Sequence, residues 1–264
     1  MRAQRLPLGT EPAGAGGREV ALVPCRATLR AVTDLDFSRF DVLTFDCYGT
    51  LIDWEAGILA GLRRVLDPRG VAADDDRLLE SYARHEAALE AGPYLRYREV
   101  LGRALRGVCA ELDVEPTDDE VAAFGGSVPD WPAFPDSSAA LTALHQRFGL
   151  GVITNCDDDL FAGSNARLGV TFGWIVTAEQ ARRYKPNPRN FELAFERIGL
   201  PTERMLHVAQ SLYHDHVPAK RLGLTTVWVD RRRGRAGSGA TPPAEASPDL
   251  VVPDMATLAD LALR

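Results

Sequence analysis

The chain has 264 residues, 45% hydrophobic and 25% charged, with a formal net charge of −7. That length and composition suit a globular chain with a sizeable core, either one large domain or a core with a smaller insert. The negative balance argues against general nucleic-acid binding, which calls for a basic face, but a local Lys or Arg could still receive a small anion.

Residues 1–36 are rich in Gly, Ala, Pro and Arg and read as a flexible N-terminal extension. Val42-Leu43-Thr44-Phe45 then leads into Asp46 and a Gly49-Thr50 turn. This is the pattern of a buried strand presenting Asp46 at its C-terminal tip. Such tips border the ligand crevice of open α/β sheets. A carboxylate there can form a covalent ester as a nucleophile, or it can merely cap a turn. The stretch alone supports both readings.

Asp53 is placed to N-cap a helix over Trp54 to Leu66. Asp74 to Glu111 is helical in its apolar spacing and is broken at Gly92-Pro93. Pro116 to Glu120 starts another short helix with an acidic first turn. Residues 125–135 read as a Gly/Pro-rich linker. Residues 57–132 thus form a helical cap inserted into a core made of 37–56 and 133–264. From Leu141 onward helices and strands alternate: a helix to Phe148, strand 150–154, helix 157–168, strand 174–176, helix 190–198. Strand 205–209, helix 217–222, strand 225–229, edge strand 250–252 and helix 255–263 complete the chain. This order predicts an α/β fold, a Rossmann-like doubly wound parallel sheet. Residues 231–248 read as a loop rich in Arg, Gly, Ala and Pro.

The cysteines, Cys25, Cys47, Cys109 and Cys156, lack metal-like spacing. They read as free thiols in a reducing cytoplasm, with Cys47 and Cys156 packing residues. No apolar run reaches membrane-spanning length.

Three strand tips carry polar groups besides Asp46. Thr154 and Asn155 follow the second strand, where small hydrogen-bonding side chains and backbone N–H groups can hold an anion. Asp157-Asp158-Asp159 reads as an acidic helix start. Tyr184-Lys185-Pro186 follows the third strand, and the proline fixes the backbone that aims Lys185. Gln210-Ser211-Leu212-Tyr213-His214-Asp215-His216 follows the fourth, and each histidine there reads as a surface or packing residue.

Taken in order, Asp46-Cys47-Tyr48-Gly49-Thr50, Thr154-Asn155, Lys185-Pro186 and Val208-Ala209-Gln210-Ser211 with Asp215 resemble the haloacid dehalogenase superfamily. The resemblance covers about Phe40 to Arg231. Phosphatases of that superfamily carry a second Asp where Tyr48 stands and a metal-binding Asp where Gln210 stands. The Asp-x-Tyr-Gly-Thr-Leu form resembles the type II 2-haloacid dehalogenases. It implies metal-independent, cofactor-free hydrolysis of small haloacids through an aspartyl ester on Asp46.

By the same resemblance Lys185 holds Asp46 ionised, Thr50 orients it, and Asp215 positions water. Thr154 binds the substrate carboxylate. Asn155 and a cap cation cradle the halide, Arg84 being the candidate and Arg77, Arg96 and Arg98 its competitors. Tyr48, Gln210 and Ser211 complete the substrate-binding set. Gln210 and Leu212 depart from the Ser and Asn of the type II pattern, and Phe191 stands where it has Tyr. Tyr82, Tyr94 and Trp131 read as packing residues that could wall the pocket. Exposed aromatics such as Tyr94 and Tyr97 suit a homodimer through the cap. A Mg²⁺-dependent phosphatase and a non-catalytic binding protein are the competing readings.

Overall fold

Four consecutive buried residues make β1 (Val42–Phe45), and this strand sits at the centre of the sheet. A computed structural model describes residues 35–235, 237 and 239–264. The extension expected over residues 1–36 lies outside these except for its last two residues, and so does Cys25. The described residues fall within one unit, Val32–Arg264.

β1 is flanked by β2 (Gly149–Thr154) and β4 (Met205–Ala209). β3 (Trp174–Thr177), β5 (Thr225–Val229) and β6 (Leu250–Val252) complete the order β3-β2-β1-β4-β5-β6, and every pairing is parallel. The connection direction reverses beside β1, and a crevice opens at the carboxyl ends there. Parallel strands need crossovers and are buried on both faces. α8 (Arg189–Ile198) and α9 (Val217–Arg221) supply Phe191, Ala194, Ile198 and Ala219, which pack with Val42, Ile153, Val176 and Met205 on one face. α5 (Ser137–Leu144), α6 (Asp158–Leu168) and α10 (Met255–Ala262) bury Leu141, Phe161 and Leu258 in the larger cluster, which also contains Leu43 and Phe45.

α1 (Trp54–Leu66), α2 (Asp75–Glu90), α3 (Tyr97–Glu111) and α4 (Asp118–Gly125) are threaded between β1 and α5. Asp53 caps α1 by accepting from the Ala56 N–H, and α4 begins with a Thr117/Glu120 capping box. Gly57 lets α1 lie against the Trp131 ring, since a Cβ there would sit 2.3 Å from it.

Three expectations shift. The helix expected over 141–148 runs from Ser137 to Leu144, because the chain tightens into turns at 145–148 before entering β2. A short helix not expected from the sequence, α7 (Ala178–Ala181), is capped by Thr177. Of the acidic trio expected to cap α6, Asp158 and Asp159 lie in its first turn, while Asp157 caps another helix. Asp157 makes no side-chain cap on α6 and is buried at the start of α3, accepting from the Tyr97 and Arg98 N–H groups at 2.9 and 3.2 Å. One carboxylate at the tip of β2 therefore anchors the N-terminus of a helix from the stretch between β1 and α5.

Candidate active site

Asp46 leaves β1 with its N–H on the Val208 carbonyl, 3.0 Å away. The chain then turns at Gly49, whose φ of +88° suits glycine. That turn brings Thr50 back so that its Oγ1 donates to Asp46 Oδ2 at 2.7 Å. The same hydroxyl accepts from the Gln210 N–H at 2.9 Å, which fixes its proton on the carboxylate side.

Lys185 is buried and spends its three protons on three acceptors. Its Nζ donates to Asp46 Oδ1 at 2.9 Å, Asp215 Oδ1 at 2.7 Å and the Ile153 carbonyl at 2.8 Å. Burial favours the neutral amine, but Asp215 and Asp46 outweigh it and push the ammonium up to about 12. Asn155 clamps the backbone of Lys185, which enters a cis bond to Pro186. The Asn155 Oδ1 accepts from the Lys185 N–H at 2.7 Å, and Nδ2 donates to the Lys185 carbonyl at 3.1 Å.

Asp215 lies in a turn over Leu212–His216 after β4. Burial raises its carboxyl, but Lys185 and His207 reverse that and hold it well below the usual range. His207 Nε2 lies 3.0 Å from Asp215 Oδ1, while Nδ1 lies 2.9 Å from Thr44 Oγ1. Asp215 Oδ2 is buried without a hydrogen-bond partner. For Asp46, burial raises the carboxyl and Lys185 opposes that rise.

These groups line a cavity of about 30 Å³, room for one or two water-sized bodies. Tyr48, Asn155 and Ser211 line it too. The Tyr48 hydroxyl pairs with Ser164 Oγ at 3.0 Å, and its ring meets Trp131 edge-on.

The structure does not bring Arg84 there. Its side chain is 61% exposed and pairs with Glu111, because residue 84 lies on the outer side of α2. Arg77 is exposed, Arg96 pairs with Glu179, and Arg98 pairs with Asp159. Among the described residues no arginine lines the cavity. Thr154 Oγ1 is buried without a partner and does not line it either. Gln210 contributes its backbone to Thr50, while its side chain accepts from Thr241 beside a neighbouring pocket. Tyr97, expected exposed, is 2% exposed and faces the cavity.

Two residues missed in the sequence face Asp46 from α2: Glu86 and Glu90. Tyr82 and Tyr97 both donate to Glu86 Oε1, at 2.7 and 2.8 Å. Burial pushes Glu86 up to about 7 and Glu90 well above the usual range. The available signal was acidic residues four apart that continue the buried stripe of Leu78, Leu79 and Tyr82. Trp54 and Thr241 also line the cavity. Cys47 and Cys156 are buried beside it, and burial pushes both thiols up, toward the inert protonated form.

The donor set fits a magnesium ion poorly. The core carboxylates Asp46 and Asp215 already share the Lys185 ammonium, and Gln210 is an amide. Among the described residues no three acidic, His or Cys side chains are grouped to hold a metal.

A family model described as haloacid dehalogenase-like hydrolase matches residues 40–222. The haloacetate dehalogenase H-2 of Moraxella sp. (strain B) is 26% identical over 198 residues, covering 73% of this chain and 87% of that protein. The (S)-2-haloacid dehalogenase of Pseudomonas putida is 25% identical over 224 residues, covering 83% of this chain and 94% of that protein. The solved L-2-haloacid dehalogenase from Xanthobacter autotrophicus shares the fold, with a TM-score of 0.71 at 21% identity over 85% of this chain and 98% of that one.

Proposed function

The chain belongs to the haloacid dehalogenase-like hydrolases, and from that footing we propose that it hydrolyses the carbon–halogen bond of small 2-haloacids. The carrying observation is Asp46 held by both Lys185 and Thr50 while Tyr48 occupies the place of a second carboxylate. An oxygen of Asp46 attacks the halogen-bearing carbon from the side opposite the halogen. The carbon–halogen bond breaks, halide leaves with the bonding pair, and an aspartyl ester remains. Halide is a stable anion and needs no proton, so the missing second acid is no loss. Water, oriented by Asp215, whose buried Oδ2 lacks a hydrogen-bond partner, then adds to the ester carbonyl, and one of its protons ends on the departing hydroxyl oxygen. The ester opens to a hydroxy acid and regenerates Asp46.

In this reading Lys185 and Thr50 orient the nucleophile, and Asn155 holds Lys185. Tyr48 and Ser211 border the substrate. The names of the relatives support a haloacetate or 2-halopropionate as substrate. No described helix is long and apolar enough to cross a membrane.

The test is halide release from chloroacetate, fluoroacetate and 2-chloropropionate, with and without EDTA. Release that ignores EDTA and is lost in Asp46→Asn by at least about 10³-fold is expected. Release that needs added Mg²⁺ would favour a metal-dependent hydrolase.

A further inference from the structure

β4 carries the sequence Met-Leu-His-Val-Ala through the sheet, and its one polar side chain, His207, is fully buried. An imidazole in such a strand is costly unless its ring nitrogens find partners. Both do. Nδ1 lies 2.9 Å from the hydroxyl of Thr44, its register partner on β1, and Nε2 lies 3.0 Å from Asp215 Oδ1. Phe191 meets the ring edge-on, with centroids 5.0 Å apart, and holds its plane. An ionised Asp215 can only accept, so Nε2 points its hydrogen at Oδ1. Asp215 Oδ1 thus receives two donors, Lys185 Nζ at 2.7 Å and His207 Nε2. Two donors on one oxygen set the plane of the carboxylate and leave Oδ2 without a partner. Lys185 alone would not do this. Its ammonium is shared with Asp46 and the Ile153 carbonyl, and Asp215 could turn either oxygen toward it. His207 does not line the cavity, and its hydrogen-bond contacts go to Thr44 and Asp215 rather than to Asp46.

We propose that His207 is a positioning residue for the second half of the reaction. It holds Asp215 so that Oδ2 orients the hydrolytic water, and it takes no part in the displacement of halide by Asp46. The inference rests on the displacement reading for its chemistry. In the step concerned, the water oxygen bonds to the ester carbonyl carbon of Asp46, and the bond from that carbon to the hydroxy-acid oxygen breaks. One water proton ends on that oxygen and the other leaves to solvent.

The test follows a single turnover of 2-chloropropionate by rapid quench, reading halide release and the Asp46 ester by intact-protein mass spectrometry. Thermal melts check folding. In His207→Leu the ester should form at the native rate and decay at least about tenfold more slowly, as a misplaced water would make it. His207→Gln, whose amide can present an N–H toward Oδ1, should recover most of the decay rate. A merely structural role would slow both halves together or lower the melting temperature alone. Ester decay at the native rate, or formation slowed as much as decay, would overturn the role and leave the dehalogenase reading standing. If His207→Leu does not fold, Thr44→Val is read the same way, since it loosens the ring without removing it. Slower ester decay in Thr44→Val supports the role, and native decay overturns it. A native chain that releases no halide would overturn the dehalogenase reading and this role together.

Discussion

Lys185 is the residue on which the site's electrostatics turn. It neutralises two buried carboxylates at once, so an uncharged side chain of similar length would strand both. Lys185→Met is expected to destabilise the fold by about 3–5 kcal/mol and to lower halide release at least about a hundredfold. Chemical denaturation and kinetics on the refolded variant check both. Glu86 carries the clearest pH dependence. Its folded value, about 7, stands above the ordinary 4.5, so the folded chain keeps a proton that the unfolded chain releases between those values. Stability through this group is highest below pH 4.5 and declines as pH rises through 7. Glu86→Gln should therefore raise the melting temperature by about 2 °C or more near pH 8, and by less near pH 5. Asp46, Thr50, Lys185 and Asp215 were legible because each follows a strand tip or sits in the turn beside one. Arg84 was misplaced because helical phase decides the face. It lies two residues from both Tyr82 and Glu86, about 200° around the helix at ~100° per residue. Glu86 and Glu90 were missed because only tertiary packing reveals that an acidic residue faces inward.

At the scale of elements, the link between Asp157 and α3 ties the inserted helices to the sheet. Arg96 offers α3 no side-chain cap, so the N–H groups of Tyr97 and Arg98 depend on Asp157. Asp157→Ala is expected to cost about 1–2 kcal/mol by thermal unfolding. It should also raise KM, because the same helix carries Tyr97 to Glu86. The parallel strands were readable as short apolar runs ending at polar residues, and β4, β5 and β6 begin and end where the sequence placed them. α5 was harder, since its apolar spacing continues into the turns that lead to β2. The loop expected over 231–248 proves structural at its start. Arg231 pairs with Asp136 and donates to the Thr50 carbonyl, and Arg232 pairs with Glu55, at the foot of α1. Charge composition alone cannot separate such docked arginines from solvated ones.

Across the whole molecule, the reversal of strand order beside β1 places Asp46, Lys185 and Asp215 together although they are far apart in sequence. The net charge of −7 turns out to have a local counterpart, an acidic cavity rather than a basic one. The exposed aromatics invoked for a homodimer through the cap lose one member, Tyr97, to the cavity. The other, Tyr94, is half-buried and stacks on Tyr184 with ring centroids 5.6 Å apart. The central claim is that a side-chain oxygen of Asp46 ends up in the product. Its most direct test is a single turnover of 2-chloropropionate in H₂¹⁸O, followed by mass spectrometry of the lactate and of the peptide containing Asp46. Unlabelled lactate with ¹⁸O in that peptide is the expected result. Labelled lactate on the first turnover, with an unlabelled peptide, would contradict it.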